Sequence, residues 1–256
     1  MIHPQAIIEP GAIIGENVTI GPWTHIASNV VIGDDCHISS HVVINGPTTL
    51  GKGNRIFQFA SIGEDCQDLK YAGEQTELII GDNNTFRESC TIHCGTVQDN
   101  SLTKIGNNNL FMAYTHVAHD CIVGSHCIMA NNASIAGHVN VGDHVIIGGM
   151  AGVHQFCHIG QHSFVAANAL VLKDVPAYVM ASGQPAKPFG LNSEGLKRRG
   201  FDKDVILNIK RAYKAVYRKG LSLEDALTSI DEQEQQSPEL KAFSDSIKAS
   251  TRGIIR

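Results

Sequence analysis

Aromatic side chains are scarce, at 6% of 256 residues with a single tryptophan. A core built on large rings is therefore excluded, and 25 glycines favour one made of small and β-branched side chains. No apolar run approaches the roughly 18 residues that mark a membrane-spanning helix. The N-terminal MIHPQAIIEPG lacks a basic stretch leading into an apolar one, so no signal peptide is expected. There is no CxxC pair, and the cysteines number seven, an odd count. That suits a reducing, cytoplasmic setting better than a disulfide scaffold. Cationic excess is also missing. The net charge of −5 gives no support to a nucleic-acid binder.

What is present is a period of six. Stepping by six from Ile8 reaches Ile14, Ile20, Ile26, Ile32, Ile38, Ile44, Leu50, Ile56 and Ile62. The phase breaks over 68–79, resumes at Ile80, Phe86 and Ile92, breaks again over 98–104, and then runs from Ile105 to Val171. An α-helix would scatter such positions around its axis, whereas a strand period of two keeps them all on one side. The fifth residue of each hexad is small or β-branched, as in Val18, Thr24, Val30 and Ala60. Cys36, Cys66, Cys90, Cys121, Cys127 and Cys157 share that position and read as small core residues; Cys94 does not. Asn54, Asn84 and Asn109 also fall there and read as inward amides bonding neighbouring backbone. Stacked coils of this kind bury a continuous core that no single repeat could bury.

After Pro176 the period stops. Residues 177–190 read as a Gly/Pro-rich linker, and 191–256 as a small helical domain. Asp202 to Lys219 reads as a helix stopped by Gly220, Ser222 with Asp225 as a capping box, and Ser237-Pro238 as a helix start.

The repeat resembles that of hexapeptide β-helices, in which three hexads make one coil and residues 18 apart stack at about 4.8 Å. In that register His93, His119, Asp120, Gly137, His138, His154 and Gln155 fall on one narrow stripe across four coils. A histidine beside an acid and a backbone N–H is the equipment of acyl transfer: a base, a group that holds its tautomer, and an oxyanion donor. A second column, His126, His144 and His162, reads as a surface stack, since zinc needs ligands converging on one centre. His154, His158 and His162 have metal-like spacing but point in different directions in this register.

THVAHDCIVG, ANNASIAGHV, GGMAGVHQFC and GLKRRGF, with QFASIGEDCQDLKYAGE, TIHCGTV and the terminal STRGIIR, resemble the UDP-N-acetylglucosamine O-acyltransferase family along nearly the whole chain. The resemblance implies a left-handed parallel β-helix over 1–176 followed by the C-terminal α-helical domain, assembled as a homotrimer with sites between subunits. It implies transfer of an (R)-3-hydroxyacyl chain from acyl carrier protein to the 3-hydroxyl of UDP-N-acetylglucosamine, the first step of lipid A biosynthesis. No cofactor or metal is implied, the acyl chain arriving on the carrier's phosphopantetheine. By matching position His119 is the base, Asp120 its orienting acid, and Gly137 N–H the oxyanion donor. Gln67, Asp68 and Lys70 contact the acyl hydroxyl and the sugar. His93, His116, His138, His154 and Gln155 line the cleft, and Asn192, Glu194, Arg198 and Arg199 reach the nucleotide. Ala166 and Ala167 lie where acyl length is set. A row of lysines and arginines from Lys197 to Lys219 suits an acidic carrier protein. Gln184 departs from the family's asparagine.

Three rivals share the fold. The sister N-acyltransferase of the pathway usually carries an extra N-terminal domain, yet the repeats here begin at Ile8. A zinc hydratase would show bound zinc. A non-catalytic scaffold would have no need of His119, Asp120 and His138 together.

Overall fold

The computed structural model describes residues 1–234 and 237–256. Among these residues short strands, most of two residues, form three sheets of nine, eight and ten strands; each takes every third strand of the chain in parallel, and the ten-stranded sheet ends on two consecutive strands that pair antiparallel. The fold is the left-handed parallel β-helix expected, a triangular prism of stacked coils. Up to strand Leu170–Val171, residue i pairs with i+18 wherever no insert intervenes, as in Ile8 with Ile26 and Val117 with Ile135. The hexad anchors point inward: Ile26, Ile44, Ile56, Ile62, Val117, Ile135 and Ile147 have no exposed surface. Phe86 and Phe111 stack within the core, with ring centroids 4.8 Å apart and planes 3° from parallel. All seven cysteines are buried and unbridged, Cys94 included.

The three inward asparagines form a ladder. Asn54 Oδ1 accepts the Asn84 N–H, Asn84 Oδ1 accepts the Asn109 N–H, and Asn109 Oδ1 accepts the Cys127 N–H. Their amides donate to Gly81, Gly106 and Gly124 carbonyls in turn. Each side chain thus satisfies corner groups of the next coil, which water cannot reach.

The fourth residue of most hexads turns the corner with positive φ, as in Asn17 (57°), Asp35 (58°), Asn108 (57°) and His126 (59°). Asn, Asp and His tolerate this left-handed region better than most residues. That accounts for the histidine column: His126, His144 and His162 occupy one corner, their rings stacked at 4.7 Å.

The two breaks lie earlier than the six-residue phase suggests, over 65–76 and 94–101 between strands. Pairing restarts at Glu77 and Leu102, because Leu78 and Thr103 already point inward and are fully buried. The segment 177–190 is not a linker. Val179–Gly183 joins the ten-strand sheet beside Phe164–Val165 and turns back antiparallel as Ala186–Leu191. The glycines and prolines there signal a hairpin turn, and Val179 and Ala181 bury alternately.

Among the described residues four helices follow: α1 (Ser193–Arg198), α2 (Lys203–Tyr217), α3 (Leu223–Glu234) and α4 (Leu240–Lys248). Gly220 (φ 69°) follows α2, and Ser222 Oγ accepts the Asp225 N–H at 3.0 Å ahead of α3. Ser237-Pro238 forms a turn before α4 and lies outside it, Glu239 being the cap. The C-terminal tail returns to the β-helix, where Ile254 and Ile255 are buried and Asp174 binds Ser250 Oγ at 2.6 Å.

Asn84→Ala should strand the Asn109 N–H and the Gly106 carbonyl in the interior. A loss of roughly 2–4 kcal/mol is expected, read as a lower urea midpoint at unchanged circular dichroism.

Candidate active site

The corner after strand His116–Val117 carries His119 and Asp120. Asp120 takes positive φ (56°), which brings two sequence neighbours together: His119 Nδ1 lies 2.9 Å from Asp120 Oδ2. The Asp120 side chain is wholly buried, and its carboxylate also accepts the Thr96 N–H at 3.0 Å and Thr96 Oγ1 at 2.6 Å. Its own N–H donates to Thr103 Oγ1 at 2.8 Å. Burial alone would raise the carboxyl pKa; the bonds from His119 and Thr96 outweigh it and hold the group below its ordinary value. A carboxylate only accepts, so Nδ1 of His119 carries the hydrogen and Nε2 is left as the basic nitrogen.

Gly137 sits one coil above. A Cβ there would come within 2.5 Å of His119 Nε2, so only glycine leaves the imidazole its place. The Gly137 N–H has no partner among the described residues, as an oxyanion donor requires. These groups open on a cleft of about 690 Å³ whose walls also include Gln67, Asp68, Lys70, His93, His116, His154 and Gln155. The predicted cleft residues from the β-helix therefore come together, except that His138 lines an adjoining recess shared with Asp68, Lys70 and Gln155.

His93 and His116 meet edge to face at 4.9 Å, and His116 Nδ1 lies 2.7 Å from Thr91 Oγ1. Burial, reinforced by the neighbouring His116 and His119, pushes the His93 pKa down to about 4. Burial and His119 lower that of His116. Both rings are thus held in the neutral form.

Asn192, Glu194 and Arg198 lie elsewhere. They line a recess of about 280 Å³ against Ile146 and Phe164, on a different sheet from the cleft. Arg199 does not face this recess; its Nη2 donates to the His144 carbonyl at 2.8 Å. Asn192 caps α1 and donates to the His162 carbonyl at 2.9 Å. Ala166 and Ala167 follow strand Phe164–Val165 and do not line the cleft.

Some contributors escaped the sequence reading. Ser134, Gly152 and Leu170 form one wall with His116, all four being outward residues of successive paired strands. Extending the 18-residue step from His116 would have found them. Thr96 and Thr103, which hold Asp120, carry no such signal: Thr96 lies in the second insert, and Thr103 lies in the strand after it, before the six-residue phase resumes at Ile105.

His119, Asp120 and His138 bring donor atoms within 4.8 Å of one another, near enough for a metal. The Asp120 carboxylate, however, is already occupied by Thr96 and His119, and His138 Nδ1 by Asp99 at 2.8 Å. The donor set therefore fits a hydrogen-bonded base better than a zinc site.

A hexad coil with a buried His–Asp pair beside a cleft defines a hexapeptide-repeat transferase. The family model for bacterial transferase hexapeptide repeats matches residues 11–46 and 102–137. That for the second domain of UDP-N-acetylglucosamine O-acyltransferase matches 174–255. A relative from Stutzerimonas stutzeri named acyl-(acyl-carrier-protein)–UDP-N-acetylglucosamine O-acyltransferase is 53% identical over all of this chain and 99% of its own. The solved LpxA of Acinetobacter baumannii superposes with a TM-score of 0.97 at 53% identity, covering 100% and 99% of the two chains. The UDP-N-acetylglucosamine acyltransferase of Francisella novicida gives 0.98 at 45%, covering 100% and 94%. The chain belongs to the UDP-N-acetylglucosamine O-acyltransferase family.

Gly137→Ala should displace His119 and lower turnover about 100-fold, with the melting temperature nearly kept; steady-state kinetics would check it. A pH effect also follows. Because folding lowers the His93 pKa, the unfolded chain binds more protons between about pH 6.5 and about 4, and stability is lost as pH falls through that window. His93→Gln should flatten this part of the denaturation-against-pH curve.

Proposed function

We propose that the chain transfers an (R)-3-hydroxyacyl group from acyl carrier protein to the 3-hydroxyl of UDP-N-acetylglucosamine, opening lipid A biosynthesis in the cytoplasm. The observation that carries the mechanism is the buried His119–Asp120 pair packed against Gly137. His119 Nε2 takes the proton of the sugar hydroxyl as its oxygen attacks the thioester carbonyl. The tetrahedral oxyanion is met by the Gly137 N–H. Collapse breaks the C–S bond, and the pantetheine thiolate takes the proton back from His119. Asp120 stabilises the transient imidazolium without itself being protonated. Gln67, Asp68 and Lys70, with the neutral His93 and His116, hold the sugar and the acyl hydroxyl.

The separation of the nucleotide residues from the cleft supports a homotrimer. Glu194 and Arg198 lie on another face of the prism, so one copy's cleft is completed by its neighbour's α1. Arg198 meets the diphosphate with a forked set of donors, and Asn192 and Arg199 hold α1 in place beside it. Ala166 and Ala167 reach the acyl chain in the same way, from the neighbouring copy. Helix α2 carries Lys203, Lys210, Arg211 and Lys214 and offers a basic face to the acidic carrier.

Mixing the protein with UDP-N-acetylglucosamine and a ladder of 3-hydroxyacyl carrier proteins should yield a nucleotide-sugar ester by mass spectrometry. His119→Ala should lower its rate by about 10²- to 10⁴-fold. No ester with any donor would sink the acceptor assignment. Co-refolding His119→Ala with Arg198→Ala, each inactive alone, should restore part of the activity; no restoration would argue against a shared site.

A further inference from the structure

The second insert does more than interrupt the repeat. Its turn, from Thr96 to Ser101, is closed by the Ser101 N–H donating to the Thr96 carbonyl at 3.0 Å. Thr96, at one end, holds Asp120 through both its N–H and its hydroxyl. Asp99, in the same turn, places Oδ2 at 2.8 Å from Nδ1 of His138. Two His–acid pairs, each joined through Nδ1, therefore stand side by side, one at the cleft and one at the adjoining recess, and one short loop touches both.

The His138 ring is tightly placed. Its side chain is 11% exposed. It stands edge-on to His119, with centroids 4.9 Å apart and planes at 88°, and lies flat on Phe156 at 4.3 Å and 7°. Stacking on Phe156 leaves the ring free to flip about its own axis, because a flipped imidazole stacks equally well. The carboxylate removes that freedom. It can only accept, so it selects the orientation and tautomer with hydrogen on Nδ1, leaving Nε2 bare. The charged groups around this ring are Asp99 from the insert, Asp120 and His119 from the coil below, and Asp68 and Lys70, which share its recess.

We propose that Asp99 is a positioning residue: it fixes the tautomer and orientation of His138, and so sets the contact His138 makes with the nucleotide sugar. This rests on the function proposed above. The catalytic pair is not involved directly, since Asp120 keeps its own partners whatever stands at 99.

Full-length, ¹⁵N-labelled protein would be studied as the parent, Asp99→Ala and Asp99→Asn. Long-range ¹H–¹⁵N spectra of the imidazoles report the tautomer, and steady-state kinetics separate KM from kcat. The parent should show His138 with hydrogen on Nδ1. Asp99→Ala should lose that signature and raise KM for UDP-N-acetylglucosamine about tenfold, with kcat changed less than about threefold. Asp99→Asn, whose carbonyl still accepts, should keep the Nδ1 hydrogen and stay within about threefold of the parent. Asp99 is exposed in a turn, and an unchanged melting temperature would show that both variants fold. An unchanged tautomer or KM in Asp99→Ala overturns the proposal, as does a fall in kcat alone, or an Asp99→Asn as damaged as the alanine variant. If the parent made no ester, the acceptor assignment would fail, while the tautomer signature would still decide what Asp99 does to His138.

Discussion

Each coil must lie on the next at the spacing of a parallel ladder, and nearly every other feature of this molecule depends on that. Backbone bonds run between coils, as from Ala118 N–H to the Ile135 carbonyl and Ala136 N–H to the Val153 carbonyl. A side chain therefore meets the side chain one coil away, and a column of positions acquires a single environment. Inward columns must be filled to constant width, which is why Ile and Val recur as anchors with Ala, Cys or Thr as companions. Two Phe anchors can be accommodated because they fall on adjacent coils and stack.

Polar groups obey the same constraint. The corners of a coil leave backbone donors and acceptors that face inward, and burying them unpaired is costly. The asparagine column answers this where the inserts alter the spacing, running from Asn54 through Asn84 and Asn109 to Cys127. Asp120 is a second instance. A carboxylate with no exposed side-chain surface survives because Thr96, Thr103 and His119 surround it with donors on the carboxylate and an acceptor for its N–H.

Legibility in the sequence follows from periodicity. The coils, the inward cysteines and asparagines, and the stripe carrying His119, Gly137 and His154 all follow from counting in sixes and eighteens. The histidine corner was visible too, and its cause is the tolerance of His for positive φ. Legibility fails where the chain leaves the lattice. The hairpin at 179–191 looked like a linker because its Gly and Pro residues are turn residues, and a period of two over five residues is a weak signal beside them. Thr96 and Asp99 sit in an insert whose path no period dictates. Arg198 and Arg199 are adjacent and chemically identical, yet one lines a recess while the other bonds the His144 carbonyl. Only the packing of α1 on the prism separates them.

The positive-φ corners have one more consequence. Along a strand, neighbouring side chains leave on opposite faces and cannot touch. A left-handed residue at a corner swings its side chain back toward the one before it, so that His119 and Asp120, consecutive in the chain, share a hydrogen bond. On this scaffold a base and its acid can therefore arise from a single dipeptide. The prism repeats such corners along its edges through most coils, so new pairs need only two adjacent codons and no rearrangement of the backbone. A fold that looks monotonous in its core is, along its edges, a regular array of positions where chemistry can begin.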